Sequence, residues 1–321
     1  MKLIVQIPCF NEEHSLPISI PPIPKNIKGI DQVEILIVDD GSKDKTREVA
    51  KKLGVNHIVG FPSNKGLAKG FMLGLHACLE NGADIIVNTD ADNQYDANCI
   101  PDLIAPILDG TADMVVGERP ILNHKEFSIV KKMLQKIGSL VVRFLSGTDV
   151  KDAPSGFRAF SREAALQLNV HSGYSYTMET LIQAGRKNLK VVSVPVKVNP
   201  FLRPSRLFKN MFSYIKKSLS TIIRSFIIYN SFSFFMTVGL TMTTVATLIG
   251  IRFIYYYLNG FGSGKIQSLI LGSSLGLGGL LIIMFGFISD LLTTNRNILE
   301  NIQYNQRKEK FKKIINNKHA A

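Results

Sequence analysis

Two uncharged stretches in the last third of this 321-residue chain, Ser225 to Ile251 and Ile266 to Ser289, constrain it more than any other feature. They run for 27 and 24 residues without an Asp, Glu, Lys or Arg. A helix needs about 20 apolar residues to cross the hydrocarbon core of a bilayer, so both are long enough. The competing explanation is a buried apolar hairpin in a soluble protein, but uncharged runs of this length are rare in soluble cores. The linker between them, Asn259 to Lys265, is short and Gly-rich, which favours two consecutive spans, 225–258 and 266–289.

Charge is distributed accordingly. Residues 1 to 200 carry 23 Lys and Arg against 22 Asp and Glu, whereas residues 201 to 321 carry 15 against 3. The excess crowds the outer flanks, from Arg203 to Arg224 before the spans and from Arg296 to Lys313 after them. By the positive-inside rule both termini are expected in the cytoplasm. A basic surplus can also mark a nucleic-acid binder. Beside membrane spans it reads instead as attraction to anionic lipid, about 1 kcal/mol per Lys or Arg, and no nucleic-acid partner is expected. Segment 203–224 mixes Leu207, Phe208, Met211, Phe212 and Ile215 with Lys and Arg in a helical rhythm, the pattern of a helix lying in the interface plane. The basic tail, 290–321, is expected to pack on the soluble domain or on a neighbouring chain, so the spans and tail offer surfaces for a homo-oligomer.

The first 202 residues read differently. Short apolar runs, Leu3 to Ile7, Glu34 to Val38, His57 to Gly60, Ile85 to Thr89 and Met114 to Val116, alternate with helical patterns at Asp44 to Leu53 and Leu67 to Glu80. That alternation is the signature of an α/β domain with a mostly parallel sheet covered on both faces. Asp44 is placed to cap the first helix and Gly82 to end the second. Met1 to Phe10 contains Pro8 and is too short for the apolar core of a signal peptide, so it reads as a first strand. Cys9, Cys78 and Cys99 lack metal-ligand spacing and read as reduced core residues, while the six His are too scattered for a zinc site.

Ligands of such sheets bind beyond the carboxyl ends of the strands, and the unusual residues fall there. Asp90-Ala91-Asp92 follows one strand directly, and two carboxylates at i and i+2 suit Mg2+ or Mn2+, which prefer oxygen ligands shared with substrate phosphates. Asp39-Asp40-Gly41-Ser42 ends a second strand and Pro8-Cys9-Phe10-Asn11-Glu12-Glu13 a third. Carboxylates there can accept hydrogen bonds from a base or ribose, although each cluster alone also fits a turn or helix cap. Asn64 to Gly70 opens a helix with glycines at 66, 70 and 74; free N–H groups and Lys69 favour a phosphate, while close packing on the sheet explains Gly74 equally well. Asp152 to Arg158 is a loop whose arginine is expected to meet a diphosphate or an acceptor phosphate. Arg119 and Arg203 are further candidates.

Taken in order, Ile7 to Glu13, Val38 to Ser42, Asn64 to Gly70, Asp90 to Asp92, Ser155 to Arg158 and Val194 to Val196 leading to Arg203 resemble the family 2 glycosyltransferases. Within them the chain is similar to the polyprenyl-phosphate glycosyltransferase group of the dolichyl-phosphate mannose synthase kind, in its bacterial two-span form. The resemblance implies a nucleotide-diphospho-sugar transferase (GT-A-like) fold, an inverting transfer from a nucleotide sugar to polyprenyl phosphate, and a Mg2+ or Mn2+ cofactor. Pro8, Asn11, Glu12, Asp39, Asp40, Asn64, Lys69 and Ala91 would then bind the nucleotide sugar. Asp90 and Asp92 would hold the metal and diphosphate, and Arg119, Ser155, Arg158 and Arg203 the acceptor phosphate, with Asp92, Arg119 and Arg158 at the centre of catalysis. Three rivals share some of these features: a polysaccharide synthase, a transferase acting on an already lipid-linked sugar or a protein, and a non-catalytic membrane scaffold. Processive synthases carry a Gln-x-x-Arg-Trp motif, whereas this chain has no Trp.

Overall fold

The computed structural model describes residues 1–120, 138–144, 146–170, 176–200, 211–261 and 266–320. They form two compact units, Met1–Ile222 with Gln303–Ala321, and Ile223–Ile302. The first is built on a seven-stranded sheet, and the second on a pair of long helices.

In the first unit the five strands read from the sequence are present: β1 (Lys2–Cys9), β2 (Gln32–Asp39), β3 (His57–Gly60), β4 (Ile85–Asn88) and β5 (Met114–Glu118). Two more complete the sheet, β6 (Arg158–Ser161) and β7 (Val191–Pro195). The order is β3-β2-β1-β4-β6-β5-β7. All neighbours run parallel except β6, which lies antiparallel between β4 and β5. With only four residues and an arginine at its head, β6 carries too little periodicity to be seen from the sequence. Its insertion has a large consequence, since it brings the loop before Arg158 onto the carboxyl ends of β4 and β5.

The helices cover the sheet as the apolar pattern requires. They are α1 (Leu16–Ser19), α2 (Thr46–Lys52), α3 (Leu67–Glu80), α4 (Ile100–Leu108), α5 (Arg162–Gln167) and α6 (Tyr176–Arg186). Asp44 accepts a hydrogen bond from the Thr46 amide at the start of α2. Beyond α3, Gly82 takes a positive φ of 82°; its N–H donates to Leu79 O and that of Ala83 to Cys78 O, the paired bonds of a glycine-terminated helix. Gly74 of α3 packs directly on the sheet, because a Cβ there would stand 2.5 Å from Gln6 Oε1 and 2.8 Å from Val38 Cγ2. Its place in the glycine series is therefore steric.

The remaining helices are α7 (Met211–Leu258) and α8 (Ile266–Ala320). Asn230, at φ −130° and ψ 29°, breaks α7, and the part long and apolar enough to cross a membrane is Asn230–Leu258, with mean hydropathy 1.8. The second such stretch lies in Ile266–Lys313, with mean hydropathy 2.1. The two cross through glycines: a Cβ on Gly279 would lie 2.7 Å from Thr243 Cγ2 and 3.0 Å from Gly239 O. Small residues let helix backbones approach closely where lipid offers no hydrophobic drive for association. Thr237, Thr241, Thr244 and Thr247 turn their hydroxyls onto carbonyls four residues earlier, which leaves these polar groups satisfied. Arg203, Leu207 and Phe208, with the rest of 201–210, lie outside the described residues.

From Gln303 onward α8 belongs to the first unit. Tyr304 donates to Glu163 Oε1 at 2.5 Å, Lys310 pairs with Glu80 at 2.8 Å, and Phe311 is buried. Arg307 donates to the carbonyls of Leu166 and Leu168 and to Asn169 Oδ1, where α5 ends. A guanidinium there satisfies carbonyls that the helix leaves without partners.

Candidate active site

The carboxyl ends of β1, β2, β4 and β5 lie along one sheet edge, where the parallel register leaves them level. Pro8 pairs with Val38, and Gln6 with both Leu36 and Asn88. Asn11 takes a left-handed conformation, φ 56°, which lets its N–H donate to Ser42 Oγ while its Oδ1 accepts from the Lys43 amide. The Glu12 amide donates to Thr46 Oγ1, and the Glu12 carboxylate accepts from Ser15 Oγ. These bonds lock the β1 and β2 loops together.

Asp39 and Asp40 are buried and committed to the local structure. Asp39 accepts from the Ser42 amide and from Arg47. Asp40 accepts from the amides of Lys65 at 2.7 Å and Gly66 at 2.9 Å. The sequence had offered the helix-start amides to a phosphate. This is a correction: a carboxylate of the chain itself takes those two. Asn64 and Lys69 stand exposed on the same loop and first turn. A carboxylate has about four acceptor positions, so Asp39 and Asp40 keep the capacity to accept further donors.

Behind β4 lies a buried polar chain. Gln6 and Asn88, adjacent in register and both fully buried, are joined by a 2.8 Å bond from Gln6 Nε2 to Asn88 Oδ1. Asn88 Nδ2 in turn donates to Gly156 O and Tyr176 Oη, each at 2.8 Å. The Gly156 N–H donates to Tyr95 Oη at 3.0 Å. Gly156 is thus held over Asp90 so closely that a Cβ would come within 2.9 Å of its Oδ2. Sequence reasoning passed over Asn88, Tyr95 and Tyr176. The signal available for Asn88 was an amide residue in each of two otherwise apolar runs, Gln6 within Leu3 to Ile7 and Asn88 directly after Ile85 to Val87.

The carboxylate pair carries the electrostatics of the site. Asp92 Oδ1 accepts from the Gln94 amide, closing a turn in which Asn93 has φ 58°. Burial first, then the neighbouring charge of Asp92 and more weakly Glu12, pushes the Asp90 carboxyl up to about 7; Arg119 and Arg158 oppose them. Arg119 forms a two-pronged ion pair with buried Asp152, Nε to Oδ2 at 2.7 Å and Nη2 to Oδ1 at 2.9 Å. Burial disfavours its charge, but Tyr95, Asp152 and Asp90 outweigh that and hold its proton more firmly than usual.

Arg158 behaves otherwise than its place in the loop implied. It is 0% exposed and donates to Ser155 O, Thr177 O, Thr180 Oγ1 and Ala153 O at 2.6–2.8 Å. Burial lowers its pKa to about 10. With its donors turned onto the chain it cannot reach a phosphate in this conformation, and its evident task is to shape the 153–156 loop. Ser155, in that loop, is buried beside Tyr95.

Do these residues suit a divalent cation? Asp90, with the Asp92 carboxylate beside it raising its proton affinity, sits where positive charge is short, and hard oxygen donors match Mg2+ or Mn2+. Among the described residues no group of three or more His, Cys, Asp and Glu gathers as a ligand set. Asp90 and Asp92 therefore fit a cation completed by substrate oxygens and water, and do not form a closed cage.

The chain is similar to several known proteins. The chain is 34% identical over 214 residues to a UDP-N-acetylglucosamine–dolichyl-phosphate N-acetylglucosaminyltransferase of Methanococcus voltae, covering 60% of this chain and 83% of that protein. It is 26% identical over 206 residues to an undecaprenyl-phosphate mannosyltransferase of Micrococcus luteus, with 61% and 83% covered. Among solved structures, glucosyl-3-phosphoglycerate synthase of Mycobacterium tuberculosis, bound to Mn2+, UDP and glucosyl-3-phosphoglycerate, superposes with a TM-score of 0.55 at 21% identity, covering 70% of this chain and 78% of that one. The likeness to that structure speaks for the fold. Residues 4–168 match the profile of Glycosyl transferase family 2, and the chain belongs to that family.

Proposed function

We propose that the chain moves a sugar from a nucleoside-diphosphate donor to polyprenyl phosphate, with inversion at the anomeric carbon. The observation that carries this reading is the Asp90–Asp92 pair set against the Arg119–Asp152 ion pair at the sheet edge, in a chain that also holds two helices able to span a bilayer. The relatives named above for transfer to dolichyl or undecaprenyl phosphate support the acceptor class.

In the transfer, a phosphate oxygen of the acceptor attacks the anomeric carbon as the bond from that carbon to the donor's diphosphate oxygen breaks; the electron pair leaves with the diphosphate. A phosphate monoester is largely dianionic at pH 7, its second pKa lying near 6, so a strong base is not required. The larger barrier is the accumulation of negative charge. Asp90 and Asp92 would hold Mg2+ or Mn2+, which would supply positive charge for the departing diphosphate. Arg119, held in one orientation by Asp152, presents a fixed positive charge beside the pair at no reorganisation cost. Arg158 keeps Gly156 and Ser155 in place over Asp90. Pro8, Asn11, Glu12, Asp39, Asp40, Asn64, Lys69 and Ala91 serve the donor side in this scheme. The basic flanks of the helix pair lie on the cytoplasmic face, where anionic lipid attracts them.

The test is direct. Purified chain in a bilayer is incubated with undecaprenyl phosphate, Mn2+ and a panel of nucleotide sugars, and the lipid fraction is weighed by mass spectrometry. The proposal requires a product heavier by one sugar residue. Transfer only to a pre-glycosylated lipid would replace it with the extension reading.

A further inference from the structure

β1 and β4 lie side by side in the middle of the sheet, and strands covered on both faces are ordinarily apolar throughout. Each breaks that rule once, at positions adjacent in register: Gln6 and Asn88, both 0% exposed. The protein makes room for them. Gln6 Oε1 occupies the space that a side chain at Gly74 of α3 would need, and Tyr176, a partner of Asn88, stacks on Phe71 of the same helix at 4.0 Å and 6°. A buried amide is costly unless its hydrogen bonds form, and an apolar pair of similar shape would serve the fold as well. What the amides add, and leucines could not, is a fixed direction for the group they bind.

That group is Gly156. Its carbonyl accepts from Asn88 Nδ2 at 2.8 Å, and its N–H donates to Tyr95 Oη at 3.0 Å. Asn88 stands two residues before Asp90 and Tyr95 three after Asp92, so the carboxylate pair is bracketed by the two side chains that grip Gly156. Gln6 sets the sense of the grip: its Nε2 donates to Asn88 Oδ1, which turns Asn88 Nδ2 toward the carbonyl. Tyr176 Oη lies 3.4 Å from the same carbonyl oxygen, beyond the usual range of a hydroxyl donor, and cannot hold it from there. Asp90 depends on this arrangement. Among the described residues none donates a hydrogen bond to its carboxylate; what lies against it is Gly156, so close that a Cβ would stand 2.9 Å and 3.1 Å from its two oxygens. Ligand carboxylates are ordinarily oriented by hydrogen-bonded partners, and here contact with Gly156 takes that place.

We infer that Asn88, aligned by Gln6, is a positioning residue for the cation site: by holding the Gly156 carbonyl it keeps residue 156 against Asp90 and fixes the direction in which that carboxylate faces the metal. The inference rests on the assignment of Mg2+ or Mn2+ to Asp90 and Asp92 proposed above. Gln6→Leu with Asn88→Leu exchanges the buried pair for an apolar one, a change close to neutral for folding because both partners leave together. The Tyr176 hydroxyl and the Gly156 carbonyl can then close on each other, which moves residue 156. Tyr95→Phe removes the second grip by deleting one oxygen. Ile86→Val, in the buried part of the same strand, is the control.

The full chain in phosphatidylcholine discs is titrated with Mn2+ in the presence of saturating UDP and, separately, GDP. Free Mn2+ is read from its electron paramagnetic resonance signal, and thermal unfolding is measured alongside. The inference expects the Kd for Mn2+ to rise about tenfold in the double leucine variant and several-fold in Tyr95→Phe, with cooperative unfolding retained and no change in Ile86→Val. Asp92→Ala should lose the binding, which places the bound ion at this site. Half-maximal sugar transfer by the double variant should likewise require about tenfold more Mn2+. Mn2+ held equally well by the unsubstituted chain and by a folded double variant would overturn the inference alone. Should the double variant fail to fold, an unchanged Kd in Tyr95→Phe would do the same. No Mn2+ held by the unsubstituted chain with either diphosphate would overturn the cation assignment itself, and the inference with it.

Discussion

At the scale of single residues, the site separates groups that hold the protein together from groups left partly open to solvent. Asp92 is partly exposed, and its one hydrogen bond among the described residues is from the Gln94 amide. Asp92→Ala is expected to lower turnover about 100-fold or more with an unchanged melting temperature, measured by product mass and thermal unfolding. Arg158→Ala should do the reverse in order of cause. It strips partners from Ser155, Thr177 and Ala153 carbonyls inside the core, so stability falls by roughly 3 kcal/mol or more and activity falls with it. The family motif was legible in the letters of both residues. Their different tasks were not, because exposure and donor direction come from the antiparallel β6 and from α6, which close over Arg158.

At the scale of elements, the end of α8 works as a strap on the α3 and α5 surface. Arg307→Ala is expected to free Gln303–Phe311, seen as faster amide exchange there and on α5. The strap also confers a pH dependence. His76 of α3 is half-buried with Nε2 unpartnered among the described residues, and burial, then Arg307 nearby, pushes its pKa down to about 4 from 6.5. Below pH 6.5 the unfolded chain binds a proton that the folded one refuses, so stability should decline as pH falls from about 6.5 to about 4. The decline is at most roughly 3 kcal/mol, lessened by the solvent contact His76 retains, and His76→Gln should flatten it in denaturant titrations. In the second unit Gly279→Leu should drive α7 and α8 apart and lower thermal stability, since the backbone of Gly239 occupies the required space. The strands β1 to β5 and helices α2 and α3 were readable because each carries its own periodicity and end signals. A four-residue strand such as β6 has neither.

At the scale of the whole molecule, topology is the open quantity, and the charge bias makes a definite claim about it. An Asn259→Cys variant, in the exposed turn that ends α7, should react with an impermeant thiol reagent from outside intact cells, whereas Lys312→Cys should react only after permeabilisation. The native Cys9, Cys78 and Cys99 are buried and give a low background. What the sequence determined by itself was everything that depends on local spacing: two spans long enough for a bilayer, a basic bias at their flanks, an α/β alternation and an acidic cluster at each of three strand ends. What only the tertiary structure decided was which of those groups meet and which are already engaged. Asp40 and the Lys65 and Gly66 amides satisfy each other, Arg158 faces inward, and Gly156 rests on Asp90. Each of these joins residues at least 22 positions apart or passes through such contacts, and each is fixed by the need to pair every polar group that the sheet buries, a requirement that acts across the fold and leaves no mark on neighbouring letters.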